Sequence, residues 1–160
     1  MDAKGQPNQL ESAVEKFSEV IRNRPESLFL TPIDDWTPRD VTAHLVWWNR
    51  NIFAACKSLQ EGKAPAYYAD ASNDYRNINA RAIAEFPSKD RRVLLEQMND
   101  TLQEFKSYLL ALDPKEWDAD RGVTHYRGGA ATIRRVVQSL TGDYENHTRQ
   151  IQNWKLLIDK

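Results

Sequence analysis

The chain has 160 residues, a net charge of −1, 41% hydrophobic and 28% charged residues, the balance of an ordinary globular protein of one domain. One cysteine, Cys56, excludes an internal disulfide and a multi-cysteine zinc site. The near-zero charge gives no general pull towards nucleic acid or an anionic membrane, no run reaches the roughly 18 apolar residues of a membrane span, and no signal-like segment opens the chain, so the expectation is a cytoplasmic protein with neither nucleic acid nor membrane as partner.

In chain order, residues 1–8 are polar, carry Gly5 and Pro7, and are expected to fray. Leu10, Val14, Phe17 and Ile21 share one stripe and predict a helix over 8–24, stopped by Pro25. Leu28, Phe29, Leu30 and Ile33 read as apolar plugs in a connector. The run Trp36-Thr37-Pro38-Arg39-Asp40 is a helix start: Thr37 suits the N-cap, Pro38 the first helical position, and Asp40 can return a hydrogen bond to the cap. That helix is predicted over 38–61, with Gly62 as its C-terminal signal and Val41, Leu45, Trp48, Ile52 and Leu59 as its core stripe; His44 borders the stripe. Cys56 lies among apolar neighbours and reads as a buried thiol.

A loop over 63–71 leads to a short helix over 72–86 with Tyr75, Ile78, Ala82 and Phe86, ended by Pro87. Ser88 is the expected N-cap of a helix over 88–112 with Leu94, Met98, Leu102, Phe105 and Leu109 as its stripe. An irregular segment with Trp117 as a plug and Gly128-Gly129 as a flexible entry precedes a last helix over 132–158. No strand pattern or internal repeat is present, so the prediction is an all-α single domain, a four-helix bundle with an extra short helix.

The last helix carries the best functional clue. Ile133, Val136, Leu140, Asp143, His147, Ile151, Trp154 and Ile158 recur every three or four residues, and Asp143 and His147 interrupt this core-facing stripe one turn apart. Unpaired buried polar groups cost roughly 2–7 kcal/mol by transfer estimates. The pair therefore needs partners, and His44 on another helix is the candidate.

The run Trp36 to Val46 resembles the second-helix signature of the DinB-like superfamily, and Gly142-Asp143-Tyr144-Glu145-Asn146-His147 with Gln150, Ile151 and Trp154 resembles its last-helix signature, nearest the ClbS/DfsB-like branch. The resemblance implies a four-helix bundle with a crossover connection. It also implies a divalent metal (Zn, Ni or Mn) held by three histidines in many members, one on the second helix and two spaced by four on the last. His44 and His147 match the first and last of these, and Asp143 falls where many members have histidine. A carboxylate also ligates such metals. Thiol-dependent transferases and isomerases and a hydrolase of an electrophilic natural product occur in the family, so a low-molecular-weight thiol is a further implied cofactor and a small molecule the implied substrate.

Three readings of the trio stay open: a metal site of His44, Asp143 and His147; a metal-free pocket in which His147 is a general base and Asp143 fixes its tautomer; and a structural network. Asp143 could equally orient His147 from behind. A non-catalytic ligand-binding or helix-interaction module is the alternative to an enzyme. His125, in the irregular segment, reads as a solvated loop histidine that could cap a pocket. Trp47, Trp48, Tyr67, Tyr68, Tyr75 and Tyr144 read as core, with cavity walls as the alternative. Asn79 resembles a polar position of the branch. Val46, Trp47, Phe53, Tyr108 and Leu156 fall off the main stripes; they either cover the short helix or form an apolar surface patch, and the patch predicts a two-fold homodimer.

Overall fold

A computed structural model describes residues 5–71 and 75–158. Four long helices, α1 (Gly5–Arg22), α2 (Pro38–Gln60), α5 (Arg91–Ala111) and α6 (Ile133–Ile158), form the bundle. The connection from α2 to α5 carries a single turn, α3 (Tyr68–Ala71), and the short helix α4 (Tyr75–Glu85). Two isolated bridges, Ile33–Trp36 and Thr124–Ala130, are the only extended pairing among the described residues. No helix among them is long and apolar enough to cross a membrane. Residues 1–4, the 72–74 start expected for the short helix, and the side chains of Leu156 and Ile158 lie outside what is described.

The helix boundaries follow local chemistry. At the start of α2 both halves of the capping box form: the Asp40 N–H donates to Thr37 Oγ1 and the Thr37 N–H donates to Asp40 Oδ2, each at 3.1 Å. Gly62, at φ +74°, ends α2, and its N–H donates to the Leu59 carbonyl. Asp90, not Ser88, caps α5, its carboxylate accepting from the Arg92 N–H at 2.9 Å. Residues 5–8 are helical rather than frayed, because Gln6 and Pro7 are buried. Leu30 is 49% exposed and plugs nothing, whereas Phe29, Ile33 and Trp117 are buried as expected.

Side-chain contacts give the helix directions. Phe17 packs on Tyr144, and the Arg24 guanidinium beyond the end of α1 donates to the Ile151 carbonyl, so α1 and α6 run parallel. Asn49 contacts the Met98 carbonyl and Gln60 contacts Tyr108, so α2 and α5 are also parallel. Trp36, just before α2, meets His147 while His44 meets Asp143, so α2 opposes α6. The parallel α2–α5 pair is what demands a long crossover, and α4 within it lies against α2. Arg39, buried at the start of α2, fixes the end of that crossover by donating to the Phe86 and Ser88 carbonyls at 2.7 and 2.9 Å.

Helix α2 is surrounded by α4, α5 and α6. Its off-stripe residues Val46 and Trp47 are therefore buried within the monomer, and Phe53 and Tyr108 stack on Phe105 and on each other. Val46 and Trp47 thus belong to the core, Phe53 and Tyr108 are partly buried against it, and the Leu156 side chain lies outside what is described, so these residues give the homodimer expectation little support. Cys56 is fully buried, and burial pushes its thiol pKa far up.

Candidate functional site

His44, Asp143 and His147 converge, as expected from the interrupted stripe. His44 Nε2 lies 3.2 Å from Asp143 Oδ2, and His147 Nε2 lies 3.5 Å from Asp143 Oδ1. The imidazole centroids are 5.3 Å apart. One donor atom from each of the three residues lies within 4.8 Å of the others. His44 is buried, whereas the Asp143 side chain is 37% exposed and opens into a cavity of about 490 Å³.

The trio lies on the wall where α2 and α6 meet. A tight turn closes the near side: Ile33 and Trp36 exchange backbone hydrogen bonds, with Asp34 at φ +58°, a conformation that Asp tolerates better than most residues. The turn sets the Trp36 ring 5.0 Å from His44 and stacked 6.5 Å from His147. Trp48 and Ile52 from α2, Tyr67, Tyr75 and Asn79 from the crossover, and His125, Tyr126 and Arg127 from the segment before α6 complete the lining. Tyr75 and Tyr126 join hydroxyl to hydroxyl across the cavity, and burial with this bond pushes the Tyr75 phenol pKa well up.

One side chain departs from expectation, and another follows its reading as core. His125 is 7% exposed, not solvated: its ring stacks on Tyr126 and meets Tyr68 edge-on. Tyr144 lines no cavity; it is fully buried and donates to Asn49 Oδ1 at 2.7 Å, while Asn49 donates to Thr101 Oγ1 at 3.0 Å. Sequence reasoning missed Trp36 as a site residue, although an apolar residue just before an N-cap is a recognised packing signal. It also missed Gln150 and Arg127.

The electrostatics bear on a cation. Burial raises the Asp143 carboxyl pKa, but the hydrogen bond from His44 and the nearness of both imidazoles outweigh it, and the net shift is downward. Asp143 is thus an anion at neutral pH. Burial lowers the His147 pKa against opposing effects of Asp143 and Gln150, so His147 is neutral there. His147 Nδ1 lies 2.9 Å from Gln150 Oε1. With that amide oxygen as the acceptor, the ring proton sits on Nδ1 and the Nε2 lone pair faces the Asp143 carboxylate. Two lone pairs face each other with no proton between them, an arrangement that suits a cation. The separations of 3.2 and 3.5 Å run to different Asp143 oxygens, so a bound cation would draw the donors inwards to bonds of roughly 2.0–2.1 Å. Gln150 is the outer partner that metal-ligating histidines usually have. His44 lacks one, since its Nδ1 is buried without a hydrogen bond. The nitrogen–oxygen–nitrogen donor set fits Zn, Ni or Mn.

With bundle, crossover and site in place, the chain belongs to the DinB superfamily, whose model matches residues 6–151. No curated protein matches the sequence. Among solved structures, the sibling lethal factor precursor DfsB superposes with a TM-score of 0.79 at 14% identity, covering 97% of this chain and 95% of that one. The colibactin self-resistance protein ClbS, in complex with a dsDNA, gives 0.75 at 12% identity, covering 94% and 93%. A mycothiol-dependent maleylpyruvate isomerase gives 0.75 at 10% identity, covering 94% of this chain and 61% of its own. Such identities establish a shared fold. ClbS also corrects the expectation of no nucleic-acid partner: a protein of this fold is seen with a DNA duplex, so a near-neutral total charge is no ground for exclusion, because local charge and not its sum governs such contacts.

Proposed function

We propose that the protein is a small-molecule enzyme of the DinB type, in which His44, Asp143 and His147 hold a divalent cation beside the aromatic cavity and a small electrophilic compound is hydrolysed or transferred to a low-molecular-weight thiol. The observation that carries this reading is the convergence of three donor side chains from two helices at a cavity wall, with the bare His147 Nε2 facing Asp143. When bound, the cation supplies Lewis acidity that activates a water or thiol. The protein's own residues do the rest. Gln150 holds the His147 tautomer. Trp36 covers both imidazoles and limits water. The aromatic walls receive the substrate body. The thiol arm of the reading draws on the mycothiol-dependent neighbour of the same fold. A non-catalytic ligand-binding pocket is the second reading, favoured by the contacts that Asp143 already makes to both histidines.

Elemental analysis of untagged protein purified without chelator tests the metal. A stoichiometric divalent ion in the wild type that is absent from His147→Ala supports the reading. A panel of electrophiles, with and without low-molecular-weight thiols, then separates the two readings. Metal-loaded protein that turns over none of them points to the binding module.

A further inference from the structure

The cavity has a second pole that the chemistry above does not use. Its outer rim is the turn carrying His125, Tyr126 and Arg127. The turn is held from within: the His125 N–H donates to the Gly129 carbonyl and the Gly128 N–H to the His125 carbonyl, both at 2.8 Å. Gly128 and Gly129 both have φ near +80 to +90° (93° and 78°), which favours glycine there. Arg135 clamps the turn from α6 through the Gly128 and Ala130 carbonyls. That commitment leaves Arg127 as the cation at the rim. Its guanidinium lies over the Tyr126 ring, 5.4 Å from the centroid, and has no carboxylate partner among the described residues.

His125 adds a donor. Its Nδ1 accepts the Arg127 N–H at 3.0 Å, so the neutral ring carries its proton on Nε2. Burial and the charges of Arg135 and Arg127 keep this imidazole neutral. The lining thus holds a guanidinium and an N–H donor on one turn, and the trio on α2 and α6. Between them the surface is flat and aromatic, with Trp36, Trp48 and Tyr75.

We propose that the cavity selects a flat, unsaturated ligand bearing a carboxylate, with the carboxylate held at the mouth by Arg127 and the unsaturated body stacked among Trp36, Trp48 and Tyr75. A planar guanidinium matches a carboxylate with two parallel hydrogen bonds, and aromatic walls favour a planar body. Arg127 is the one arginine or lysine among the lining residues, so the charged end lies against the turn that carries it and the uncharged end reaches towards the trio. This rests on the reading above only in taking the cavity as a small-molecule site; it requires neither a metal nor turnover. The carboxylate could come from the electrophile or from a thiol such as glutathione, and the test separates these sources.

Tryptophan fluorescence of the full chain reports occupancy, because Trp36 and Trp48 line the cavity. Cinnamate, cinnamamide and glutathione are titrated as probes. Cinnamate is expected to bind about tenfold more tightly than cinnamamide. Arg127→Gln should erase that preference, and Arg127→Lys should keep part of it. Chelator-treated wild type should retain the preference, and Arg127→Gln should retain its metal content, so failure here is distinct from failure of the metal reading. Equal affinity for the two probes, an unchanged ratio in Arg127→Gln, or no response to either probe at millimolar concentration overturns the proposal. Arg127-dependent binding of glutathione alone also overturns it, since the carboxylate would then belong to the thiol.

Discussion

His44 and Asp143, 99 positions apart in the chain, meet at 3.2 Å between Nε2 and Oδ2. This contact joins α2 to α6 and brings the imidazole of one helix to the acid and imidazole of the other. Replacing Asp143 by Asn keeps the volume and removes the charge that both histidines face. Asp143→Asn is expected to lower metal occupancy at least tenfold, read by elemental analysis after dialysis against equimolar zinc. Unchanged occupancy would remove Asp143 from the ligand set.

Gln150 touches the site only through His147 Nδ1, at 2.9 Å. Outer partners of metal-bound histidines are worth about 10–100-fold in affinity. Gln150→Leu should weaken zinc binding by about that factor and Gln150→Glu should restore it, because a carboxylate also accepts from Nδ1. A competition titration against a chromophoric chelator reads both. Equal affinity in wild type and Gln150→Leu would show that the tautomer is set elsewhere.

Acid should weaken the metal-free protein in two steps. The folded pKa of His147 is lowered, so the unfolded state binds the proton first, and stability falls as pH drops below about 6.5, the unfolded value. The folded pKa of Asp143 is also lowered; its contribution is present above about pH 4 and is lost as pH falls through the folded value. Urea unfolding between pH 8 and pH 3 with chelator present should show both. His147→Gln should flatten the upper step and Asp143→Asn the lower.

Asn49 accepts from Tyr144 at 2.7 Å and donates to Thr101 at 3.0 Å within the core. Tyr144→Phe leaves the Asn49 Oδ1 without its donor and is expected to cost about 1–3 kcal/mol, or roughly 2–4 °C in Tm per kcal/mol for a domain of this size. Asn49→Leu with Tyr144→Phe should cost less than the two changes added together, since neither polar group is then orphaned. Full additivity would mean that the pair is uncoupled.

The Cys56 thiol is fully buried and its pKa is strongly raised. A thiol reagent such as DTNB should leave native protein unmodified for hours at pH 8 and label it at once in denaturant. Fast native labelling would place Cys56 among the reactive groups.

The long helices were legible because their apolar stripes are regular, and the trio was legible because Asp143 and His147 break such a stripe at a one-turn spacing. The composition of residues 63–71 predicts a loop, although Tyr68–Ala71 forms a turn of helix, too short to leave a periodic signal. Stripe periodicity leaves Val46 and Trp47 open between core and surface for a different reason. A stripe analysis assigns one buried face per helix, but 15 of the 23 residues of α2 are buried, since three helices surround it. His125 was misjudged because loop burial depends on which aromatic rings arrive from elsewhere, here Tyr68 and Tyr126, and no local pattern encodes that. Asn49 and Tyr144 were hidden because a buried hydrogen bond between helices leaves each partner looking ordinary in its own segment.

The parallel α2–α5 pair has a consequence for how such a protein can diversify. Parallel neighbours cannot be joined by a short hairpin, so the chain must spend a long excursion between them, and that excursion supplies Tyr67, Tyr75 and Asn79 to the cavity. Helices α2 and α6 fix the trio, while the excursion supplies other lining side chains and is pinned to the frame near its end through Arg39. Frame and cavity lining are thereby separable modules: the crossover can vary in sequence, and with it the shape of the cavity, while the long helices keep their register.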